Sequence, residues 1–525
     1  MKKIINITKG LLVTAILSAS LISCSEDAMD KVNKDLNHTT NIQAKFILSG
    51  VLTSTAFNIV GGDYSTYTST YVEHEVGTDN QLYRAEHRQN EPSAASTFNN
   101  VWGSSYTALR NSRIMIDKCS VGGAQEGSLI TKGMAEVMAA YNSAIIADMY
   151  GDAPWSEAAL VNADGSPKFM NPKVDSQKDI YIGVMKYLDD AITDLQSTTA
   201  KDGGASGVTS YDLMYGGNKA LWLKFAYGLK ARYTMRLIAR SADKPGDYAK
   251  VLDYVSKSFV SAAEQASFNK YDASNLNPLY DFYSSRLGLA ASKSMAEKLI
   301  ERNDPRLRRE FISGKYVQIT GVADAAYLMA ENGLNEEKKE FYNASIFVNS
   351  QTAPTIFMSY HEALFLKAEA LCRLNRSLEA QPVLKLAVAA AIANTEISVA
   401  ASVDAPNGGI TEKTSAILAA EAASYFDTNV LPLFTANPLK EVMLQKYIAF
   451  FGANGESVEC YNDIRRMKAL GENFVVLKNP LNATKFPLRC PYGTDDTTTN
   501  PNVKAVYGDG QYVYTVPVWW ALGAR

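Results

Sequence analysis

Apolar residues recur every three or four positions along much of this 525-residue chain, the spacing that gathers them on one face of an α-helix. The clearest case begins at Gly133, after which Met134, Val137, Met138, Tyr141, Ala144, Ile145 and Met149 share a face. The same spacing predicts helices over residues 42–57, 102–118, 133–149, 179–196, 218–240, 248–266, 359–374, 377–393, 441–450 and 458–467. Short connections within pairs favour a mostly α fold of tetratricopeptide-like helix pairs, although no clean repeat of about 34 residues emerges.

Long segments without helical spacing separate the predicted pairs. They cover roughly residues 58–98, 155–178, 197–216, 268–292, 313–358 and 469–518, and they are rich in Tyr, Asn, Asp and Gly. Connections of this length are uncommon in folded domains unless they are functional. The pattern therefore predicts an irregular, loop-rich half that packs against the helices and carries the binding residues.

The N-terminus combines positive charge with a short apolar run. Lys2, Lys3 and Lys9 precede residues 11–22, a run too short to span a membrane and typical of a signal-peptide core. It ends in Leu21-Ile22-Ser23-Cys24, which resembles a bacterial lipobox. We expect a signal peptide over residues 1–23, an acylated Cys24, a tether over residues 24–40 and a single domain over residues 41–525. An ordinary secretory signal with an incidental cysteine is the alternative.

Charge and cysteine content narrow the picture further. The formal net charge of -3 disfavours nucleic-acid binding, which depends on Lys and Arg at phosphates. Basic residues recur along 218–240, and their spacing favours a solvated helix face; they are Lys224, Arg232, Arg236 and Arg240. Cys119 and Cys372 lie on apolar helical faces and are expected to be buried thiols, whereas a disulfide between Cys460 and Cys490 stays open.

Motifs for catalysis or metal binding are absent from the sequence. There is no nucleophile elbow, phosphate loop or dinucleotide fingerprint. The pairs His74-Glu75 and His361-Glu362 lack the second histidine of a zinc-protease motif, and His361 is expected to be packed in a helix. Glu73, Glu75 and Asp79 are candidates for a glycosidase pair, as are many other acids of this chain. The sequence predicts a protein that is not an enzyme and that has no cofactor or metal-ligating site residues, while the presence of a structural calcium stays open.

Five segments, in order, resemble the SusD/RagB family of outer-membrane nutrient-binding lipoproteins, in particular its starch-binding-associated branch. They are Trp102-Gly103-Ser104-Ser105-Tyr106, Tyr150-Gly151-Asp152-Ala153-Pro154-Trp155, the helix at residues 359–370, the stretch from Gln445 to Arg466, and Trp519-Trp520. Glu459 and the non-acidic end after Trp520 depart from the pattern. The motif residues read as structural: Gly151 and Pro154 suit a tight turn, and Asp463 with Arg465 and Arg466 suits bonds between helix ends.

The resemblance implies a SusD-like protein anchored in the cell outer membrane and exposed at the surface. It implies a SusC-like TonB-dependent transporter as partner and an oligosaccharide as ligand. A peptide ligand, or a structural lid with little affinity of its own, is the alternative.

The resemblance also places the ligand site just upstream of the Trp102 segment. We expect a binding loop there, with a second lobe from an aromatic turn near residue 280; the candidates are Asp79, Asn80, Gln81, Tyr83, Arg84, His87, Arg88, Tyr280 and Tyr283. Carboxylate and amide groups suit sugar hydroxyls, arginines donate hydrogen bonds, and a tyrosine ring stacks on a pyranose. The alternative is that these are solvated loop residues, with Tyr83 partly packed.

Overall fold

Helices form most of the structure, a computed structural model that describes residues 42–89, 98–202, 208–312, 328–333, 337, 341–402, 415–453, 455–508 and 510–524. By its contacts the chain divides into Met1–Ile42, of which only Ile42 is described, and Gln43–Arg525, which holds every element named below. The predicted signal peptide, the acylated Cys24 and the tether therefore lie outside the described residues.

The α-helices are numbered in chain order. They are α1 Ala44–Ser54, α2 Asp63–Tyr71, α3 Asn80–Glu86, α4 Asn99–Cys119, α5 Leu129–Tyr150, α6 Gln177–Leu195, α7 Lys219–Arg236, α8 Lys244–Ser256, α9 Pro278–Arg286, α10 Lys293–Ile300, α11 Leu307–Glu310, α12 Tyr360–Arg373, α13 Ser377–Ala400, α14 Ala419–Tyr425, α15 Leu431–Ala436, α16 Pro438–Ala449, α17 Ser457–Ala469, α18 Asn482–Lys485, α19 Thr494–Thr499 and α20 Pro501–Tyr507. A π-helical segment, Thr55–Val60, continues α1.

Short strands pair two by two, always antiparallel. They are β1 Glu75–Gly77 with β5 Leu289–Ala291, β2 Ala153–Pro154 with β3 Val174–Asp175, β4 Ala266–Phe268 with β8 Thr355–Met358, and β6 Phe311–Ile312 with β7 Ala344–Ser345. Each pair joins segments that are distant in sequence, so the strands fix the loop-rich half to itself and to the helices.

The scaffold is a succession of antiparallel, tetratricopeptide-like helix pairs, in which α4, α5, α6, α7, α8, α12 and α13 each pack on the next. At its centre, every residue of α5 except Leu129 and Lys132 is buried, as expected for a helix that is apolar on all sides. Gly133 permits the close approach of α6, because a Cβ there would meet the Leu195 side chain at 2.7 Å. The stretch Ala44–Tyr71 and helix α13 have the length and composition of membrane spans, but half of each is buried inside the protein.

The ten helices predicted from apolar spacing are all present, with ends displaced by a few residues. The largest difference is at 248–266, where α8 ends at Ser256 and β4 follows. Three of the predicted loops were wrong in part, because they contain helices. Residues 58–98 contain α2 and α3, residues 268–292 contain α9, and residues 469–518 contain α18, α19 and α20.

The prediction of a solvated basic face is wrong for two of its four residues, Arg232 and Arg236, whereas Lys224 is half-buried and Arg240 is exposed. Arg232 is buried and donates from Nε to Glu362 of α12 at 2.7 Å. Arg236 is buried too and pairs with Asp148 of α5 at 3.2 Å and with Glu459 of α17. Glu459, the residue that departs from the family pattern, therefore supplies a carboxylate that a buried arginine requires.

Charged residues of α17 join it to three other helices, as the sequence predicts. Arg466 donates to Glu369 of α12 at 2.8 Å and to Asp463 at 2.8 Å, and Lys446 of α16 pairs with Asp463 at 2.6 Å. Arg465 donates to the carbonyl oxygen of Asp148 at 2.8 Å. These bonds are charge-assisted and buried, so they fix the angles between the helices.

The cysteines and His361 occupy the places expected of packed residues. Cys119, Cys372, Cys460 and Cys490 are all buried and free, which closes the question of a disulfide between the last two. Burial raises the pKa of the Cys490 thiol to about 12, so it stays protonated at neutral pH. His361 is buried and lies 3.0 Å from a carboxylate oxygen of Glu456.

The turn after α5 is held as its sequence suggests. Gly151 has φ 81°, a backbone conformation that costs glycine little. Asp152 accepts a hydrogen bond at 2.8 Å from the backbone of Gln177 at the start of α6, and Asp175 accepts one at 3.0 Å from the backbone of Trp155. The motif therefore sets the connection between α5 and α6.

Candidate ligand-binding cleft

The pairing of β1 with β5 brings two distant segments together. Glu75, Val76 and Gly77 align with Ala291, Ala290 and Leu289, and the backbone N–H of Thr78 donates to the carbonyl of Gly288 at 2.9 Å. Because α3 follows β1 and α9 precedes β5, the start of α3 and the end of α9 lie side by side. The two lobes of the predicted binding site are therefore neighbours.

A cleft of about 400 Å³ opens beside α9. One wall is the cleft face of α9, on which Pro278, Asp281, Phe282 and Arg286 recur at helical spacing. The rest of the lining comes from the end of the π-helical segment, the start of α2 and the turn before α9; these residues are Phe57, Asn58, Gly62, Asp63, Thr66, Ser274, Asn275 and Leu276.

A second, smaller cleft of about 160 Å³ adjoins the first. Phe282 and Arg286 belong to the lining of both, so one side of α9 forms a continuous wall. The opposite wall of the smaller cleft is the start of α3, and its residues are Asp79, Asn80, Gln81 and Leu82. Asn80 has a left-handed backbone with φ 47°, a conformation that asparagine tolerates better than most residues.

Helix α9 is held firmly where it begins. Asn277 caps it by accepting from the backbone N–H of Leu279 at 2.9 Å, and Pro278 follows in the first helical position. The Asn277 amide also donates to the carbonyls of Ala353 at 2.9 Å and Ala453 at 3.0 Å. These bonds attach α9 to two other parts of the protein, so the wall of the cleft is preorganised.

The exposed end of α9 offers an aromatic face and a cation. The guanidinium of Arg286 lies 4.8 Å from the centre of the half-buried Phe282 ring, and one of its nitrogens donates to Ser285 at 3.0 Å. Across the larger cleft, burial raises the pKa of Asp63, and the positive charge of Arg286 opposes that rise. The cleft thus combines an apolar ring, a donor and carboxylate and amide groups, the set of groups that polyhydroxylated ligands use.

Comparison with known proteins identifies the fold. A family model described as starch-binding associating with outer membrane matches residues 36–492. This chain belongs to that SusD-like family.

Solved structures agree with the assignment. A SusD/RagB family protein from Bacteroides thetaiotaomicron is 50% identical with a TM-score of 0.83, over 92% of this chain and 100% of that one. A SusD homologue from Bacteroides fragilis is 19% identical with a TM-score of 0.69, over 91% and 100% of the two chains. A chitin-binding SusD homologue from Flavobacterium johnsoniae is 17% identical with a TM-score of 0.67, over 91% and 99%. The similarity to the last two structures shows only that they have the same fold as this chain. No functionally curated protein matches the chain.

Three of the nine binding residues predicted for this SusD-like protein line the cleft, namely Asp79, Asn80 and Gln81. The segment that carries most of them is not a loop, because residues 80–86 form α3. Tyr280 and Tyr283 lie on the other side of α9 from Phe282 and line neither cleft.

The remaining predicted residues have other surroundings. Tyr83 packs against the His87 ring at 4.5 Å and joins a small apolar cluster around β1 and β5, while Arg84 is exposed on α3. Arg88 is buried; it donates to the carbonyl of Ala85 and to Asn482, each at 2.9 Å. Arg88 therefore supports α3 from behind and is not available to a ligand.

Part of the cleft is formed by residues that were not among the named candidates. Asp63 and Arg286 were ordinary members of two predicted loops, whereas Asp281 and Phe282 belong to the aromatic turn that was predicted as the second lobe. One signal for them was present, since Asn277-Pro278 is a helix-start pair and predicts that residues 278, 281, 282 and 286 share a face.

Proposed function

We propose that this protein captures oligosaccharide in the cleft between α9 and the starts of α2 and α3. The observation that carries the proposal is the preorganised wall of α9, where the half-exposed Phe282 ring stands beside Arg286 and opposite Asp63. A planar ring stacks on the C–H face of a sugar, while carboxylate, amide and guanidinium groups bond its hydroxyls. Descriptions of relatives as starch-binding and chitin-binding support the same ligand class.

The proposal is of binding without turnover. Two of the acids considered for a glycosidase pair are engaged inside the protein: Glu73 accepts from the backbone N–H groups of Lys478 and Asn479, each at 2.7 Å, and Glu75 accepts from Ser345. Neither lines the cleft. The family's relatives whose descriptions name an activity are described as binding proteins, which supports this assignment.

Capture also requires a location and an exit for the ligand. We extend the proposal to a protein anchored through acylated Cys24 at the cell surface, which passes its ligand to a SusC-like TonB-dependent transporter. The lipobox-like end of the N-terminal apolar run and the family description, which places its members at the outer membrane, support this part.

Substitution of Phe282 tests the capture site. We expect Phe282→Ala to weaken binding of a glycan identified on an array by roughly 1–3 kcal/mol, the usual effect of losing an aromatic anchor. Tyr280→Ala is the matched control, because it removes an aromatic ring from the other side of α9 and should leave affinity unchanged. Calorimetry with both variants decides the matter; equal affinities for all three proteins place the ligand elsewhere.

A further inference from the structure

Asp63 has a half-buried carboxylate that forms no hydrogen bond with any described residue. It begins α2 and lines the larger cleft. In the described part of the chain no hydrogen bond or ion pair uses its side chain, and Arg286 acts on it only through its charge. Other enclosed aspartates differ: Asp212 accepts from Trp222 at 2.7 Å, and Asp202 from Thr131 at 2.7 Å. Enclosed carboxylates normally accept hydrogen bonds. The donors for Asp63 must therefore be molecules that occupy the cleft.

Negative charge exceeds positive charge among the described residues that line the cleft. Asp63 and Asp281 carry carboxylates there, and Arg286 is the one cation in the described lining. Glu337 adds another carboxylate at the edge, 3.4 Å from the backbone nitrogen of Asn80. A low-dielectric recess with an excess of one sign attracts or repels charged ligands according to their own sign.

The consequences differ between classes of sugar. A neutral oligosaccharide presents paired hydroxyls, each of which can donate to one oxygen of Asp63. A uronic acid or sulfated sugar brings another anion beside Asp63 and Asp281, and of the described lining residues only Arg286 carries a positive charge that can pair with it. Bringing like charges together without water between them costs free energy. An acidic ligand therefore loses more binding free energy to this repulsion than its additional groups contribute.

We infer that Asp63 is the specificity-determining residue of the cleft: it accepts hydrogen bonds from hydroxyls of a neutral oligosaccharide, and with Asp281 it excludes acidic glycans. This inference rests on the proposed function, and it adds the ligand class and the residue that selects it. The Phe282 ring contributes binding affinity for any pyranose, whereas the carboxylates determine whether neutral or acidic pyranoses bind.

The experiment compares three variants on neutral and acidic probes of equal length. A glycan array selects the neutral binder, and hexagalacturonate is the acidic probe for calorimetry. Asp63→Asn keeps the size of the side chain and removes its charge, Phe282→Ala tests the cleft, and Asp253→Asn, an exposed aspartate of α8, is the matched control. Thermal melting of each variant establishes that it is folded.

We expect the wild-type protein to bind the neutral probe at least about tenfold more tightly than the acidic one, given the strength of hydrogen bonds to charged groups. Asp63→Asn should weaken neutral binding by about tenfold and narrow the gap between probes, while Asp253→Asn changes neither. If Asp63→Asn behaves like the wild type while Phe282→Ala loses affinity, the inference is wrong and the proposed function stands. If the wild type prefers the acidic probe, the inference is equally wrong. If no array glycan binds, the proposed function fails and the inference with it.

Discussion

At the scale of single residues, Glu75 is a buried acid that has no cation beside it among the described residues. It is 2% exposed, accepts a hydrogen bond from Ser345, and has one carboxylate oxygen that no described residue bonds. Burial raises the pKa of Glu75 to about 8. The folded protein therefore holds a proton there that the unfolded chain releases near its ordinary value of 4.5, and this difference links folding to pH.

The sign of the linkage gives a prediction for Glu75→Gln. Between pH 4.5 and about 8 the unfolded chain is ionised while the folded chain still holds the proton, so the contribution of Glu75 to stability falls as pH rises through this window. A glutamine never ionises. We expect the variant to gain stability relative to the wild type from pH 5 to pH 8.5, by roughly 2–4 kcal/mol. Urea unfolding at both values measures it, with the exposed Glu301→Gln as control. An identical difference at both pH values would contradict the linkage.

Burial of charged residues is also where the sequence informs least. The helical positions of Arg232 and Arg236 follow from local spacing, but their burial depends on Glu362, Glu459 and Asp148, which lie on other helices. No feature of the neighbouring sequence distinguishes such buried arginines from arginines on a solvated helix face. For the same reason Arg88 resembled a ligand donor, although its bond partner Asn482 is almost four hundred residues away.

At the scale of elements, buried charges join α12 to α17. Glu369 of α12 is fully buried between Arg373 of its own helix and Arg466 of α17. Burial alone would raise the pKa of Glu369, but the two arginines outweigh it and hold the pKa at about 2. Removing one partner from such a set leaves a buried charge uncompensated, which costs more than the pair itself contributes.

The prediction for α12 and α17 uses two glutamates with opposite exposure. Glu369→Gln should destabilise the protein by about 3 kcal/mol, the lower end of the usual cost because Asp463 still pairs with Arg466. Glu379→Gln, which breaks an exposed pair with Arg376, should leave stability almost unchanged because water screens the pair. Because the pKa of Glu369 is lowered, its contribution is present above pH 4.5 and is lost as pH falls toward 2. Unfolding at pH 7 and pH 3.5 compares the variants; similar losses from both would show that Glu369 acts as a surface residue does.

Element length decided which helices were predictable. Helix α5 repeats its apolar face over twenty-two residues, so its spacing is unmistakable. Helices α3 and α9 have seven and nine residues and carry many polar and tyrosine side chains, too few turns for a periodic pattern to appear. The candidate site lies on these short helices. The sequence therefore located the right neighbourhood through Asp79, Asn80 and Gln81, yet placed the aromatic partner at Tyr280 in place of Phe282.

At the scale of the whole molecule, the proposed function gives the protein two separate attachments to the membrane. One is the acyl chains on Cys24, and the other is the transporter. The two are separable, because the lipid is carried by a residue before the domain of Gln43–Arg525, whereas a transporter contact would use the folded surface. A stable contact of that kind buries at least about 1,000 Å² and persists without a lipid.

The last prediction separates the attachments by removing each in turn. Wild-type protein and Cys24→Ala, the latter exported behind a non-lipoprotein signal peptide, are expressed in the native host with and without the partner transporter. We expect the wild type to fractionate with the outer membrane in both strains, since more than one acyl chain suffices for stable anchoring. Cys24→Ala should be membrane-bound only where the transporter is present and released where it is absent. Its release from both strains removes the transporter contact from the proposal, and its retention in both removes the lipid anchor. Co-purification of Cys24→Ala with the transporter in mild detergent then identifies the contact directly, because no shared lipid remains to explain it.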